Sequence, residues 1–175
     1  VKVIAFNGSA RKDGNTAALI NLVFGELQKA GIETELFQLA GKKIRGCIAC
    51  YKCFQNKDQR CSVTNDVLNE CIEKMLEADG IILASPTYFA NVSTELKALI
   101  DRAGLVAKAN GDMFRRKVGA AVVAVCEGQA ASTSLIPLTT SSLSTRWSSR
   151  VQAIGTWESA WKKATWKRTR KAFRP

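Results

Sequence analysis

Short apolar runs alternate with stretches of helical periodicity along residues 1–125. Val1 to Phe6 (VKVIAF) is an apolar run closed by Asn7-Gly8-Ser9, the pattern of a strand buried on both faces of a parallel sheet. Ala18, Leu19, Leu22, Val23 and Leu27 then recur at helical spacing, with Asn15 or Thr16 placed to cap the helix and Gly31 to end it. Glu33 to Leu39 predicts a second strand, followed by a loop holding Gly41, Gly46 and four cysteines. Asn65 or Asp66 is placed to cap a second helix, whose Val67, Leu68, Cys71, Ile72, Met75 and Leu76 share one face. Gly80 to Ala84 (GIILA) is a third buried strand, closed by Ser85-Pro86. Ser93 or Thr94 opens a third helix through Leu96, Leu99 and Ile100, and Val118 to Val125 (VGAAVVAV) is a fourth strand. Strands separated by single helices imply right-handed crossovers and a parallel sheet covered on both faces. Ligands of such sheets bind beyond the C-terminal ends of the strands.

Two loops at those strand ends carry the chemistry of a nucleotide site. Gly8-Ser9-Ala10-Arg11-Lys12-Asp13-Gly14-Asn15-Thr16 joins the first strand to the first helix. Its small residues let backbone N–H groups approach a ligand. The Ser9 and Thr16 hydroxyls and the Asn15 amide donate, and Arg11 adds charge where a helix N-terminus already favours anions. The spacing matches neither the P-loop nor G-x-G-x-x-G, and an ordinary polar turn is the plain alternative. The loop after the third strand, Ser85-Pro86-Thr87-Tyr88-Phe89-Ala90-Asn91-Val92, places two aromatics beside a stiffening proline. Packing under a loop would explain them alone; beside a phosphate cradle on the same sheet edge they suggest a mononucleotide with a large planar base.

Composition sharpens this picture in three ways. Across 175 residues, 26 Lys plus Arg stand against 15 Asp plus Glu, a net charge of +11 that by itself points to a polyanionic partner. Residues 1–125 hold 17 basic and 13 acidic residues, whereas residues 126–175 hold nine and two, so most of the basicity belongs to the tail. Histidine is absent, which excludes Ser-His or Cys-His nucleophile pairs and His-ligated zinc. No run approaches the ~18 apolar residues of a membrane helix, and Val1 opens directly on a strand-like run without the basic start and apolar stretch of a secretory signal, so none is expected. The expected location is therefore cytoplasmic, where six cysteines point to metal or redox chemistry rather than structural disulfides.

The order GSARKDGNT, then a cysteine-bearing loop, then SPTYFANVSTELKALIDR resembles the flavodoxin-like NAD(P)H-dependent FMN reductases, in particular their iron-sulfur flavoprotein branch, over about Val1 to Val125. The resemblance implies a doubly wound parallel sheet in three α/β/α layers, tightly bound FMN, and dimers or tetramers in which a neighbouring subunit helps close the flavin site. It implies that Ser9, Arg11, Asn15 and Thr16 hold the FMN phosphate and that Pro86, Thr87, Tyr88, Phe89 and Asn91 line the isoalloxazine. The flavin carries the redox chemistry, so no protein acid, base or nucleophile is required. Cys47, Cys50, Cys53 and Cys61 have a compact spacing similar to that branch, and four thiolates in one loop can ligate a [4Fe–4S] cluster. A zinc site of the same thiolates, redox-active thiols and unligated cysteines remain as alternatives. Cys71 belongs to an apolar helix face and Cys126 has no evident partner.

The tail departs from the family's pattern. Ser132 to Ser149 has Ser or Thr at 11 of 18 positions, and Val151 to Ile154 is the one strand-like run, so support for a fifth strand and a last helix is weak. Trp157, Trp161 and Trp166 then recur in a basic segment, which one reading makes an amphipathic helix for nucleic acid or a membrane surface. Another reading comes from the genetic code. Trp has a single codon, so a one-nucleotide shift turns each Trp-Lys step into Glu and Trp157-Glu158 into Gly. The shifted frame of Thr156 to Phe173 permits an acidic segment similar to the family's last helix entry. Residues after roughly Cys126 to Ser132 are therefore expected to be an out-of-frame translation.

The sequence thus predicts a flavodoxin-like core over residues 1–125 and a doubtful segment over 126–175, with Gly128 still able to offer backbone N–H groups. Its expected function is that of an FMN-dependent oxidoreductase passing electrons from NAD(P)H or a reduced ferredoxin-type protein to a small acceptor or partner. The rivals are an iron-sulfur/flavin electron carrier without nicotinamide activity and a nucleic-acid-binding protein using the basic tail.

Overall fold

The computed structural model describes residues 1–125 and 148–156. Its elements run β1 (Lys2–Asn7), α1 (Asn15–Lys29), β2 (Glu33–Gln38), α2 (Lys52–Asn56), α3 (Leu68–Glu77), β3 (Gly80–Pro86), α4 (Thr94–Ala109), β4 (Val118–Val125) and β5 (Ser148–Thr156). The sheet order is β2-β1-β3-β4-β5 and each neighbouring pair is parallel, the flavodoxin-like winding. A fifth strand therefore stands where the tail offered only Val151 to Ile154, paired with β4 from Val118↔Ser148 to Val125↔Thr156 with a register shift at Gly119/Ala120. Cys126, Gly128, most of the Ser/Thr-rich stretch and the basic Trp segment lie outside the described residues.

Strand periodicity divides the core into two layers. On β1, Ile4 and Phe6 face one side and Ala5 the other; on β3, Ile81 and Leu83 face the first side, Ile82 and Ala84 the second. The first side packs against α3 and α4 through Leu68, Cys71, Ile72, Met75, Leu96, Leu99 and Val106. The second packs against α1 through Ile20 and Phe24. Both faces are buried, which is why these strands read as continuous apolar runs. Among the described residues no helix is long and apolar enough to cross a membrane.

Helix starts differ from the predicted caps in two places. Gly14, extended at φ −83°, is the residue before α1, and its carbonyl accepts the Ala18 N–H at 3.0 Å; Asn15 and Thr16 are already helical. Val67 precedes α3, because the Asp66 carboxylate is drawn into an ion pair with Arg102 and only reaches the Leu68 N–H at 3.3 Å. Ser93 caps α4 as expected, its Oγ accepting from the Leu96 N–H. The short α2 inside the cysteine loop has too few residues for a periodicity to reveal it.

Candidate functional site: the strand-end loops and the cysteine cleft

Burying a polar group is costly unless it is paired, so buried polar side chains mark places where structure has been spent on chemistry. Six of the eight among the described residues, Asn7, Ser9, Thr16, Ser85, Thr87 and Ser93, stand at the C-terminal ends of β1 and β3 or at the helix starts that follow. The register Asn7↔Ala84 places the two strand ends side by side, and the Gly8 N–H donates to the Ala84 carbonyl at 2.8 Å. The structure thus brings the phosphate-type loop and the aromatic loop to one sheet edge.

The first loop is held by side chains that pattern-reading did not select. Asn7 Oδ1 accepts the Ser9 N–H at 3.0 Å, and Asn7 Nδ2 donates to Gln38 Oε1 at 2.8 Å. Gln38 Nε2 donates in turn to the Ser9 carbonyl at 2.7 Å, so the end of β2 braces the loop. The Arg11 N–H donates to Ser9 Oγ at 3.2 Å. An amide at the last position of a strand was the available signal for Asn7; nothing local marks Gln38. Thr16 is 2% exposed, and no hydrogen bond of its hydroxyl occurs among the described residues. The first turn of α1 has neither a side-chain cap nor an acidic residue, leaving its N–H groups to an outside acceptor. Arg11 and Asn15 are exposed beside it.

The second loop is a tight reversal. Tyr88 and Asn91 exchange backbone hydrogen bonds of 2.8 and 3.1 Å, and Phe89 (φ +42°) and Ala90 (φ +63°) form its tip with left-handed backbones. Two positive φ values are the pattern of a type I′ turn, which favours Asn-Gly; Phe-Ala there is strained. Phe89 is fully exposed and Tyr88 half-exposed, while Pro86 and Thr87 sit deeper. Phe89→Asn combined with Ala90→Gly is expected to relieve strain of about 1–3 kcal/mol. A thermal melt checks this: the midpoint rises in the ligand-free protein, and an unchanged midpoint would show that the turn stores no strain.

Cys47, Cys50, Cys53 and Cys61 line one cleft, with Ile48, Tyr51, Ser62 and Val63 from their own loop and Arg102, Leu105 and Val106 from α4. Left-handed backbones at Ala49, Tyr51, Lys57 and Gln59 wind the loop tightly around them. The Ala49 N–H donates to Cys47 Sγ at 3.4 Å, and Cys50 Sγ lies 3.4 Å from Ser62 Oγ. The Ser62 hydroxyl lowers the Cys50 pKa, whereas burial raises that of Cys53. The described cysteines are all free thiols. Among the described residues no three His, Cys, Asp or Glu gather closely enough to hold a single metal ion. Cys71 is a core thiol, pushed up to about 12 by burial.

The cleft lies against the middle of α4, about 12 Å along the helix axis from Thr94 to Arg102, so its neighbours are not those of the strand-end loops. Arg102 interrupts the apolar stripe Leu96, Leu99, Ala103, Val106, and that interruption was the sequence signal for it.

The sequence profile described as NADPH-dependent FMN reductase matches residues 1–154. An iron-sulfur flavoprotein of Methanocaldococcus jannaschii is 43% identical over 122 residues, covering 70% of this chain and 61% of that protein. One from Methanosarcina thermophila is 36% identical over 122 residues, covering 70% and 62%. The chain thus spans about three fifths of the length of these curated relatives. Among solved structures, RosB with bound 8-demethyl-8-formylriboflavin-5′-phosphate superposes with a TM-score of 0.72 at 19% identity, covering 89% of this chain and 65% of RosB. The NAD(P)H:quinone oxidoreductase from Methanothermobacter marburgensis gives 0.68 at 13% identity, covering 89% and 84%. These structural likenesses establish the fold.

Proposed function

The chain belongs to the NADPH-dependent FMN reductase family, and from that premise we propose that it binds FMN at the shared edge of β1 and β3 and works as a flavin-dependent oxidoreductase. The observation that carries the binding site is the buried Thr16 hydroxyl, without a hydrogen-bond partner among the described residues, beside an uncapped helix start and next to a loop pre-set by Asn7, Gln38 and Ser9. An unsatisfied buried hydroxyl calls for an acceptor, and a phosphate oxygen supplies one. Ser9, Arg11, Asn15 and Thr16 would hold the phosphate; Pro86, Thr87, Tyr88, Phe89 and Asn91 would flank the ring system. FMN when bound supplies hydride and electron transfer, and the residues bind, orient and shield it.

Electrons would come from NAD(P)H or a reduced ferredoxin-type protein and leave to a small acceptor or a partner protein. Binding of FMN is followed by fluorescence quenching, with riboflavin as the phosphate-free comparison. Arg11→Ala removes a charge-assisted contact of about 1.5–3 kcal/mol, so FMN affinity should fall roughly 10- to 100-fold with riboflavin affinity unchanged. Equal losses for both ligands would place the phosphate elsewhere. NADH and NADPH oxidation by the FMN-loaded protein separates a reductase from a pure electron carrier.

In the same reading Cys47, Cys50, Cys53 and Cys61 hold a [4Fe–4S] cluster, and iron and sulfide analysis after anaerobic reconstitution distinguishes it from zinc or free thiols. A homo-oligomer, dimer or tetramer, and a cytoplasmic setting that keeps the thiols reduced complete the proposal. The flavodoxin-like core is assigned to residues 1–125, to which β5 adds an edge strand beside β4, and the residues from about 126 onward are read as an out-of-frame translation of the last part of the same domain. Repeated sequencing of the coding DNA would reject that last point if the frame proved intact.

A further inference from the structure

A buried cation stands behind the fourth cysteine. The Arg102 side chain is 1% exposed and its ion-pair partner Asp66 has no exposed side-chain surface. Its guanidinium does more than pair with a carboxylate. Nη1 donates to Asp66 and, at 3.0 Å, to the Arg45 carbonyl; Nη2 donates to the Val63 carbonyl at 3.2 Å, to Asp66 Oδ1 at 3.3 Å and to Cys61 Sγ at 3.3 Å. The acceptors other than Asp66 all belong to the segment that carries the cysteines.

Cys61 is held from a second side as well. Its N–H donates to Asn69 Oδ1 at 2.8 Å and its carbonyl accepts from Asn69 Nδ2 at 2.9 Å. Both the main chain and the sulfur of Cys61 are thereby fixed by helices α3 and α4. Cys47 and Cys50, by contrast, are exposed, and their partners among the described residues, the Ala49 N–H, the Ser62 hydroxyl and the Lys52 N–H, all belong to their own loop. Sinking an arginine this deeply is costly unless every donor is paired, and a brace between loop and helix would not require a contact to sulfur.

We propose that Arg102 is a positioning residue for the cysteine site: it presets the Cys61 sulfur as a ligand and, by donating N–H to it, raises the reduction potential of the bound cluster. This rests on the reading that the four cysteines hold a [4Fe–4S] cluster. Reduction adds a negative charge shared between iron and sulfur, and a hydrogen bond from a cation to a ligand sulfur stabilises the more negative state. Asp66 orients the guanidinium and opposes part of its field.

Anaerobic reconstitution of the full chain with iron and sulfide, followed by iron analysis and a redox titration read by visible absorption and electron paramagnetic resonance, tests the proposal. Arg102→Gln should titrate at a more negative potential than wild type and retain iron roughly 10- to 100-fold less tightly. Arg102→Lys, which keeps the charge and a donor, should recover part of both. Asp66→Asn, which keeps the shape but removes the opposing charge, should shift the potential the other way. A mere brace would lower the melting temperature of all three and leave the potential of the loaded protein unchanged, and that result overturns the proposal. If Arg102→Gln fails to fold, Asp66→Asn decides: an unshifted or more negative potential also overturns it. Wild-type protein that takes up no iron would fail the cluster reading itself and this inference with it, whereas loaded but unshifted variants fail the inference alone.

Discussion

Asp66→Ala is expected to lower the unfolding free energy of the ligand-free protein by about 3–5 kcal/mol, because it leaves Arg102 charged, buried and unpaired. The carboxylate also accepts N–H groups from Arg45 at 3.2 Å and Leu68 at 3.3 Å, so the loss spreads into the entry of α3 and the start of the cysteine loop. Urea denaturation at neutral pH measures it. Removing both partners with Asp66→Ala and Arg102→Met should cost less than the single change, since apolar replacement of a whole buried pair is often tolerated. A double that costs as much as the sum of the two single variants would show that the two charges do not depend on each other.

The same pair sets an acid limit. Burial pushes the Asp66 carboxyl up, but the Arg102 guanidinium and the two N–H donors outweigh it and hold the group below its usual range. In the unfolded chain the carboxyl titrates near its ordinary value of about 3.9. The unfolded state therefore takes up this proton first. Its contribution to stability is complete above that ordinary value and disappears as pH falls through the lower folded value. Denaturation midpoints of wild type should drop across that acid window more steeply than those of Asp66→Asn, which has no proton to gain there.

Gly8→Ala carries the second large effect, and it acts on the edge where FMN is proposed to bind. A Cβ at residue 8 would lie 2.6 Å from Ser93 Oγ, 2.9 Å from Leu96 Cβ and 3.2 Å from the Ala84 carbonyl. Two of these atoms belong to the cap and first turn of α4 and the third to β3, none of them the free end of a long side chain. Overpacking of this kind costs about 1–3 kcal/mol. If relief comes through the loop, FMN affinity should fall roughly 10- to 100-fold. Gly25→Ala is the contrast: it lies inside α1 with nothing within 4 Å of an added Cβ, and should gain about 0.5–1 kcal/mol. Thermal melts and FMN titrations of the two variants should move in opposite directions in stability and differ in affinity. Equal FMN affinity in Gly8→Ala and wild type would mean that the loop tolerates the shift and that the close approach of Gly8 to the start of α4 is not what shapes the site.

Much of this arrangement was legible along the chain. The apolar runs at 1–6, 80–84 and 118–125 are strands because a sheet covered on both faces needs continuous hydrophobic stretches, and the observed β1, β3 and β4 overlap them. Ser93 was legible as a cap, and Cys71 as a core thiol, because each follows from spacing within one helix. The phosphate-type loop, the aromatic loop and the four-cysteine loop were visible as motifs for the same reason: their residues are neighbours in sequence. What periodicity could not supply was the starting point of two helices. Gly14 and Val67 stand before α1 and α3 because Asp66 is claimed by Arg102 and because the α1 ladder begins at the Gly14 carbonyl.

Over residues 1–125, sequence by itself therefore determined which segments become strands and helices, the short α2 apart, and where the motif-bearing loops fall. Local spacing and side-chain type decide those properties. Only the tertiary structure decided which distant groups meet. Gln38 braces Ser9 from 29 residues away, Arg102 reaches Cys61 across 41, and Gly8 is pressed against Ser93 and Leu96. No local pattern encodes such contacts, because they depend on the order in which parallel strands lie side by side and on the angle at which α4 crosses behind them.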